Sequence, residues 1–252
     1  MRHVFTTMGT VASLHVEREL PRGVLDEVEA VVDRWDRTFS LYRADSPLSA
    51  IAAGRVDLVD APAAVREEYA RAVSWRAATA GRFTPHRPDG VLDLSGTVKA
   101  AAIAEAVEVL ERAGATGMLG VGGDVSLLGA PRGPVIGVVD PDDRRRLLTA
   151  LTLAGSRRAV ATSGSAERGD HIWSAAGSTD IRQATVVADD IVTADVLATA
   201  IVAAGTAELD ELTTAFDIDV LVVSATGLLA TPGIAAAASA SRRRSAVVGS
   251  AP

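Results

Sequence analysis

A chain of 252 residues with 48% apolar and 23% charged side chains has the composition of a globular protein, long enough for one large domain or two small lobes sharing a core. Its net charge of −7 argues against a general nucleic-acid binder, which needs a basic face, but leaves room for binding a single nucleotide. With no cysteine, disulfides, thiolate metal sites and cysteine nucleophiles are excluded; with aromatics at 4%, the core must be built of small side chains.

Val4 to Val16 alternates apolar and polar residues and predicts a strand or hairpin with Met8-Gly9-Thr10 near its middle. A hairpin kink is the preferred reading of Gly9, over a bulge or a close approach by another group. No secretory h-region opens the chain, and no run approaches the ~18 apolar residues of a membrane span. The expected location is therefore the cytoplasm. Residues 21 to 40 predict an amphipathic helix, with Leu25, Val28, Val32, Trp35 and Phe39 at steps of three and four. Asp45-Ser46-Pro47 is turn chemistry, with a short helix expected just after it. A further helix is expected over Ala61 to Ala80, opened by Pro62 and ended by Gly81. Arg82 to Gly90, with two prolines and a glycine, reads as a loop whose His86 is exposed and without function.

From Leu92 to Gly129 the chain predicts an ordered unit. A short apolar strand enters a turn at Ser95-Gly96-Thr97, and a helix follows with Ile103, Val107 and Leu110 on one face. Gly114 is placed to stop that helix. A strand over Met118 to Val121 then meets Gly122-Gly123-Asp124. Backbone amides at such turns and at a helix N-terminus attract anions, so the unit reads as a phosphate cradle. A purely structural α/β unit with a glycine at each turn is the alternative.

Val135 to Val139 predicts a buried strand, ended by Asp140-Pro141, and Leu147 to Leu153 another, with Arg144 to Arg146 as a solvated turn. Ala159 to Gly164 predicts a strand ending in a small polar turn, followed by a segment carrying Glu167, Arg168, Asp170, His171 and Trp173. Ala184 to Ala188 is a strand. A helix is expected to start at Thr193 as N-cap and to end before Gly205. Within it Asp195 and Thr199 project from one face. Both offer oxygen, which a hard cation such as Mg²⁺ requires. On spacing alone a plainer reading is preferred: the aspartate favours the positive helix end and the threonine bonds back to the preceding turn. Ile218 to Val223 is an apolar strand and Gly227 begins a last hairpin. Residues 1–234 read as one domain, and the Ala/Ser/Arg-rich residues 235–252 as a disordered or extraneous tail.

In order, Met8-Gly9-Thr10, Phe39 to Ser46, Asp93-Leu94-Ser95-Gly96-Thr97-Val98-Lys99, Gly122-Gly123-Asp124, Gly137 to Pro141, Ala161-Thr162-Ser163-Gly164, His171-Ile172 and Ala194 to Ala200 resemble successive motifs of one family. That family is the FAD:protein FMN transferases, the ApbE-type flavin transferases. The resemblance extends from Met8 to about residue 230. It implies an enzyme that uses Mg²⁺, takes FAD as substrate, passes FMN to a threonine or serine hydroxyl of an acceptor flavoprotein, and releases AMP. It further implies that Asp195, Thr199 and the Gly96 carbonyl hold Mg²⁺. Met8, Asp93, Lys99 and Thr162-Ser163-Gly164 would line the FAD site, and His171 or Asp93 would accept the proton of the attacking hydroxyl. The expected fold is α+β: mixed sheets flanked by helices, in two closely packed lobes with the ligand cleft between them.

Three departures from the family pattern bear on function. Ala100 stands where the family has glycine, Thr84 where it has aspartate, and Trp173-Ser174-Ala175 replaces isoleucine-aspartate-proline. The alternatives to transfer are accordingly a degenerate protein that binds FAD or FMN without transferring it, and an FAD pyrophosphatase giving FMN and AMP.

Overall fold

In a computed structural model that describes residues 1–131, 133–164 and 179–239, the chain divides into two units, the first Met1–Gly129 and the second beginning at Ala130. The first unit starts with the expected hairpin. Strands β1 (Arg2–Thr7) and β2 (Thr10–Val16) pair antiparallel, joined by Met8 and Gly9 at φ 48 and 68. Two consecutive left-handed residues are what a two-residue hairpin turn needs to match the strand twist. Helices α1 (Arg22–Phe39), α2 (Pro47–Ala52), α3 (Ala63–Ala78) and α4 (Ser95–Arg112) follow. Ser46 caps α2, its hydroxyl accepting from the Ser49 amide at 3.0 Å, with Pro47 in the first turn as its fixed φ allows.

Helix α4 begins at Ser95 itself. The expected strand and turn are thus corrected: Leu92 makes only an isolated bridge to His86, and Ser95, Gly96 and Thr97 form the first helical turn. Asp93 bears on the difference: its Oδ1 accepts from the Ser95 amide at 2.9 Å, an Asx turn that leads into the helix whose N-cap is Leu94. The buried face runs through Val98, Ala102, Ile103, Ala106, Val109 and Leu110, leaving Val107 half-buried. Gly114, at φ 68, ends it as expected; the Ala115 amide reaches back to the Leu110 carbonyl at 2.9 Å, the six-to-one bond of a Schellman motif. Strands β3 (Gly117–Val121) and β4 (Asp124–Leu128) complete a sheet in the order β1-β2-β3-β4.

Helices α1 and α4 are tied by Glu105, whose carboxylate accepts from Trp35 Nε1 at 2.8 Å and from Arg34 at 2.5 Å. Burial opposes its ionisation, but the Trp35 and Arg34 hydrogen bonds outweigh it and hold the carboxyl below its ordinary value of 4.5. A depressed folded-state value adds stability that is complete above the unfolded value and is lost as pH falls through the folded one. Unfolding free energy measured against pH should therefore decline below about 4.5, and Glu105→Gln should flatten that decline. An identical acid limb in the variant would show that the tie contributes nothing.

The second unit contains β5 (Val135–Val139) and β6 (Leu147–Thr152), which pair only with each other among the described strands. Val135, Gly137 and Val139 are consequently exposed and Ile136 and Val138 buried; β5 is one-faced rather than the buried strand expected from its apolar run. Arg146 is not simply solvated, since it binds the buried Asp140 at 2.7 Å through Nε. Strands β7 (Ala159–Gly164), β8 (Ile181–Ala188), β9 (Asp219–Ser224) and β10 (Gly227–Ala230) pair in that order. Thr162, Ser163 and Gly164 lie within β7, opposite Thr185, Ala184 and Gln183, so the expected polar turn is strand. Pairing with β8, which starts three residues before Ala184, overrides the local turn preference of Ser-Gly.

Helix α5 (Ile191–Ala204) packs on β7 and β8. Its N-cap is Asp190, not Thr193: Asp190 accepts from the Thr193 amide at 2.9 Å and from its hydroxyl at 2.7 Å. Helix α6 (Leu209–Ala215) follows. The last described element, α7, spans residues 232–239 with Ile234 buried, so the helix continues into the expected tail. The remaining tail residues lie outside the described ones. The expected α+β class holds, and the strand pairs described within each unit are antiparallel. Among the described residues no single helix is long and apolar enough to cross a membrane.

Candidate functional site

Each unit holds one group of the sequence-predicted residues. In the second unit, α5 is apolar nearly all round, as a helix buried on every side must be, and Asp195 is its only charged residue. Asp195 is 2% exposed. A buried carboxylate is retained only with compensation, by hydrogen-bonding partners or by a cation, because an isolated charge there is expensive. Thr199 follows one turn later on the same face, and its Oγ1 lies 3.2 Å from Ser163 Oγ on β7. One carboxylate and two hydroxyls form an oxygen-only set, which suits hard cations such as Mg²⁺ and disfavours soft ones. Among the described residues no group of three or more His, Asp and Glu is placed to hold a metal. A cation here would draw on hydroxyl, backbone and substrate oxygens beside the one carboxylate, a pattern Mg²⁺ accepts.

The strand pleat separates the other two residues of that motif. Thr162 Oγ1 lies 2.9 Å from Thr185 Oγ1 on β8, on the face opposite Ser163. Gly164 lies so close to β8 that a Cβ there would sit 2.6 Å from the Arg182 carbonyl oxygen. Of Thr162-Ser163-Gly164, therefore, only Ser163 meets the Thr199 side of α5. His171, Glu167, Arg168, Asp170 and Trp173 lie outside the described residues.

In the first unit, Gly96 is in the opening turn of α4, where its carbonyl runs along the axis into the helical ladder. Phe83 closes over it: a Cβ on Gly96 would be 2.7 Å from the Phe83 ring. Asp93 Oδ1 accepts from the Ser95 amide at 2.9 Å, so any proton-accepting role is shared with that hydrogen bond. Met8 is half-buried in the β1–β2 turn. Lys99 Nζ lies 2.6 Å from Asp124 Oδ2, the two side chains being 12% and 0% exposed. Ala100, the departure from the family glycine, is fully buried with its methyl in the core. His86 is exposed, as expected, with its ring edge-on to Tyr69 and Nε2 3.2 Å from the Tyr69 hydroxyl.

The phosphate cradle read from the sequence is changed by this geometry. The Ser95 amide is bound by Asp93, and those of Thr97 and Val98 both reach the Leu94 carbonyl at 3.0 Å. Gly122 and Gly123, at φ 57 and 97, form the two-residue turn between β3 and β4. A Cβ on Gly122 would press on Thr10 at 3.0 Å. The amides of Ser95, Thr97 and Val98 and the diglycine turn thus serve the fold, and of the two basic residues in the stretch Arg112, in the last turn of α4, reaches Glu27 at 3.2 Å while Lys99 stands near the helix start. In the sequence Asp124 has no assigned role beyond its place in the Gly122-Gly123-Asp124 motif; the packing of α4 on β4 brings it to Lys99.

Comparison with known proteins gives a consistent answer. The ApbE family model matches residues 84–222. No curated protein matches the chain. Among solved structures, the ApbE protein of Thermotoga maritima superposes with a TM-score of 0.80 at 20% identity, covering 94% of this chain and 99% of that one. The flavinyl transferase ApbE of Pseudomonas stutzeri in its apo form gives 0.77 at 19% identity, with 95% and 97% covered. The flavin transferase ApbE of Vibrio cholerae gives 0.72 at 18%, with 94% and 98% covered. At these identities the likeness speaks for the fold.

Proposed function

Because the chain belongs to the ApbE family, we propose that it is a flavin transferase: an Mg²⁺-dependent FAD:protein FMN transferase acting on a threonine or serine hydroxyl of an acceptor flavoprotein. The observation that carries the reading is Asp195, a buried carboxylate that is the only charge of α5, one turn from a threonine hydroxyl shared with Ser163. Asp195 and Thr199 would hold Mg²⁺, with the Gly96 carbonyl as a further oxygen. When bound, the ion would supply charge stabilisation to the pyrophosphate oxygens.

The chain's own residues then bind, orient and move a proton. Lys99 would meet the anionic part of FAD, with Met8, Asp93, Thr162, Ser163 and Gly164 as its other contacts. In the transfer, the acceptor hydroxyl oxygen bonds to the FMN phosphorus as the bond from that phosphorus to the bridging pyrophosphate oxygen breaks. AMP leaves with the bridging oxygen, and the hydroxyl proton passes to Asp93 or His171. Little covalent work falls to the protein in such a reaction, so positioning and charge placement dominate.

Thr84, standing where the family has an acid, hydrogen-bonds the His86 amide at 3.2 Å instead, and this favours keeping two lesser readings in the test. Incubation with FAD and Mg²⁺, followed by chromatography for AMP and FMN, separates them. Transfer predicts AMP formation that accelerates when an acceptor is added. AMP and free FMN at a rate indifferent to acceptor would make the protein a pyrophosphatase, and FAD binding with no AMP would make it a flavin carrier.

A further inference from the structure

We propose that Asp124 is a positioning residue for Lys99, fixing its ammonium where it meets the pyrophosphate of the flavin dinucleotide; this rests on the flavin-transfer reading above. Asp124 is the first residue of β4, directly after the Gly122-Gly123 turn and in register with Val121. Its backbone is held by a tight hairpin and its side chain is wholly buried. Lys99 comes from the second turn of α4, with its Nζ 2.6 Å from that carboxylate. A free lysine side chain has considerable rotamer freedom, which contact with a fixed, buried carboxylate removes in advance.

Stability does not account for the pair. A buried ion pair is commonly matched or bettered by apolar residues of similar size, and the two elements that carry this pair also bury apolar residues, Ala102 and Ile103 on α4 and Leu127 and Leu128 on β4. What the pair provides, and an apolar pair would not, is a cation held at one place. The first-turn amides of Ser95, Thr97 and Val98 are engaged within the fold, which leaves the Lys99 ammonium as the full positive charge at that end of α4. Asp124 reduces the net charge that Lys99 presents, and in exchange sets its position. Asp124 thus acts on the ligand through Lys99 and touches no reacting atom.

The test is a four-protein cycle of the wild type, Asp124→Asn, Lys99→Met and the double variant. FAD dissociation constants are measured by flavin fluorescence, and folding by circular dichroism. Asp124→Asn should weaken FAD binding about tenfold, the scale of one charged hydrogen bond. The double variant should bind no more weakly than Lys99→Met alone, because two residues acting through one contact are not additive. In turnover, Asp124→Asn should raise KM for FAD more than it lowers kcat, the mark of lost binding common to ground and transition states. Should Asp124→Asn not fold, Asp124→Glu keeps the charge and moves the ammonium by one methylene, and weaker FAD binding is again expected. FAD binding unchanged in either folded variant, or losses that multiply in the double variant, would overturn the positioning role. A wild type that binds no FAD would instead overturn the flavin-transfer reading itself.

Discussion

Replacing Asp195 with alanine is expected to lower AMP release from FAD about a thousandfold, since a divalent ion contributes several kcal/mol of charge stabilisation to such a reaction. The expectation follows from position. Asp195 is the one charge in a helix whose other buried residues are all apolar, and Thr199 and Ser163 bring two hydroxyls to its side of β7 and α5. A second readout separates metal loss from damage to the fold. Mg²⁺ that binds only the native state must raise the melting temperature by mass action, and in Asp195→Ala that rise should vanish while the circular dichroism spectrum stays native. Unchanged turnover, or the same Mg²⁺ response in the variant, would remove Asp195 from the metal site.

The largest effect on stability is expected at a glycine far less conspicuous than those of the motifs. Gly117 opens β3 at φ 153, and a Cβ there would lie 2.0 Å from the His15 carbonyl oxygen and 2.8 Å from Val16 Cα. Both are backbone atoms of the neighbouring strand, paired in register, so no side chain can swing aside. Gly117→Ala should cost about 3 kcal/mol or more, combining a forced backbone shift with a conformation unfavourable to alanine. For a chain of this size that lowers the melting temperature by roughly 6–12 °C. Gly23→Ala is the control, because that glycine lies in α1 with nothing within 4 Å of its missing Cβ. It should be neutral or slightly stabilising, by up to about 1 kcal/mol. Equal melting temperatures for the two variants would contradict the β2–β3 register.

Local chemistry was legible where one short segment decided the outcome. The period of α1, the Ser46-Pro47 start of α2 and the Gly114 stop of α4 could all be read directly, because each depends on a cap or a face within a few residues. Reading failed where distant partners decided. Thr162-Ser163-Gly164 has turn composition, yet pairing with β8 makes it strand. Val135 to Val139 reads as buried, but with only β6 as neighbour it shows one face to solvent. Ser95-Gly96-Thr97 reads as a turn because its glycine dominates, yet it forms the first turn of α4 after an Asx turn at Asp93. Asp190 and Thr193 both have N-cap chemistry, and the β-branched Ile191-Val192 between them hid the true start of α5.

The candidate site divides in the same way. Asp195 and Thr199 were readable as a pair, since four-residue spacing on a helix fixes a common face, and the absence of any other charge in α5 was visible beforehand. The partner of Lys99 was not readable. Asp124 is separated from it by the rest of α4 and by β3, and only the packing of α4 on β4 brings the two together.

The most direct measurement is the intact mass of an acceptor polypeptide carrying a single threonine or serine acceptor, after incubation with the protein, FAD and Mg²⁺. A gain of one FMN per acceptor, with one AMP released for each FMN attached, is the predicted result. AMP release matched by free FMN with the acceptor mass unchanged would contradict transfer, and an acceptor that stays unmodified with no AMP formed would contradict catalysis altogether.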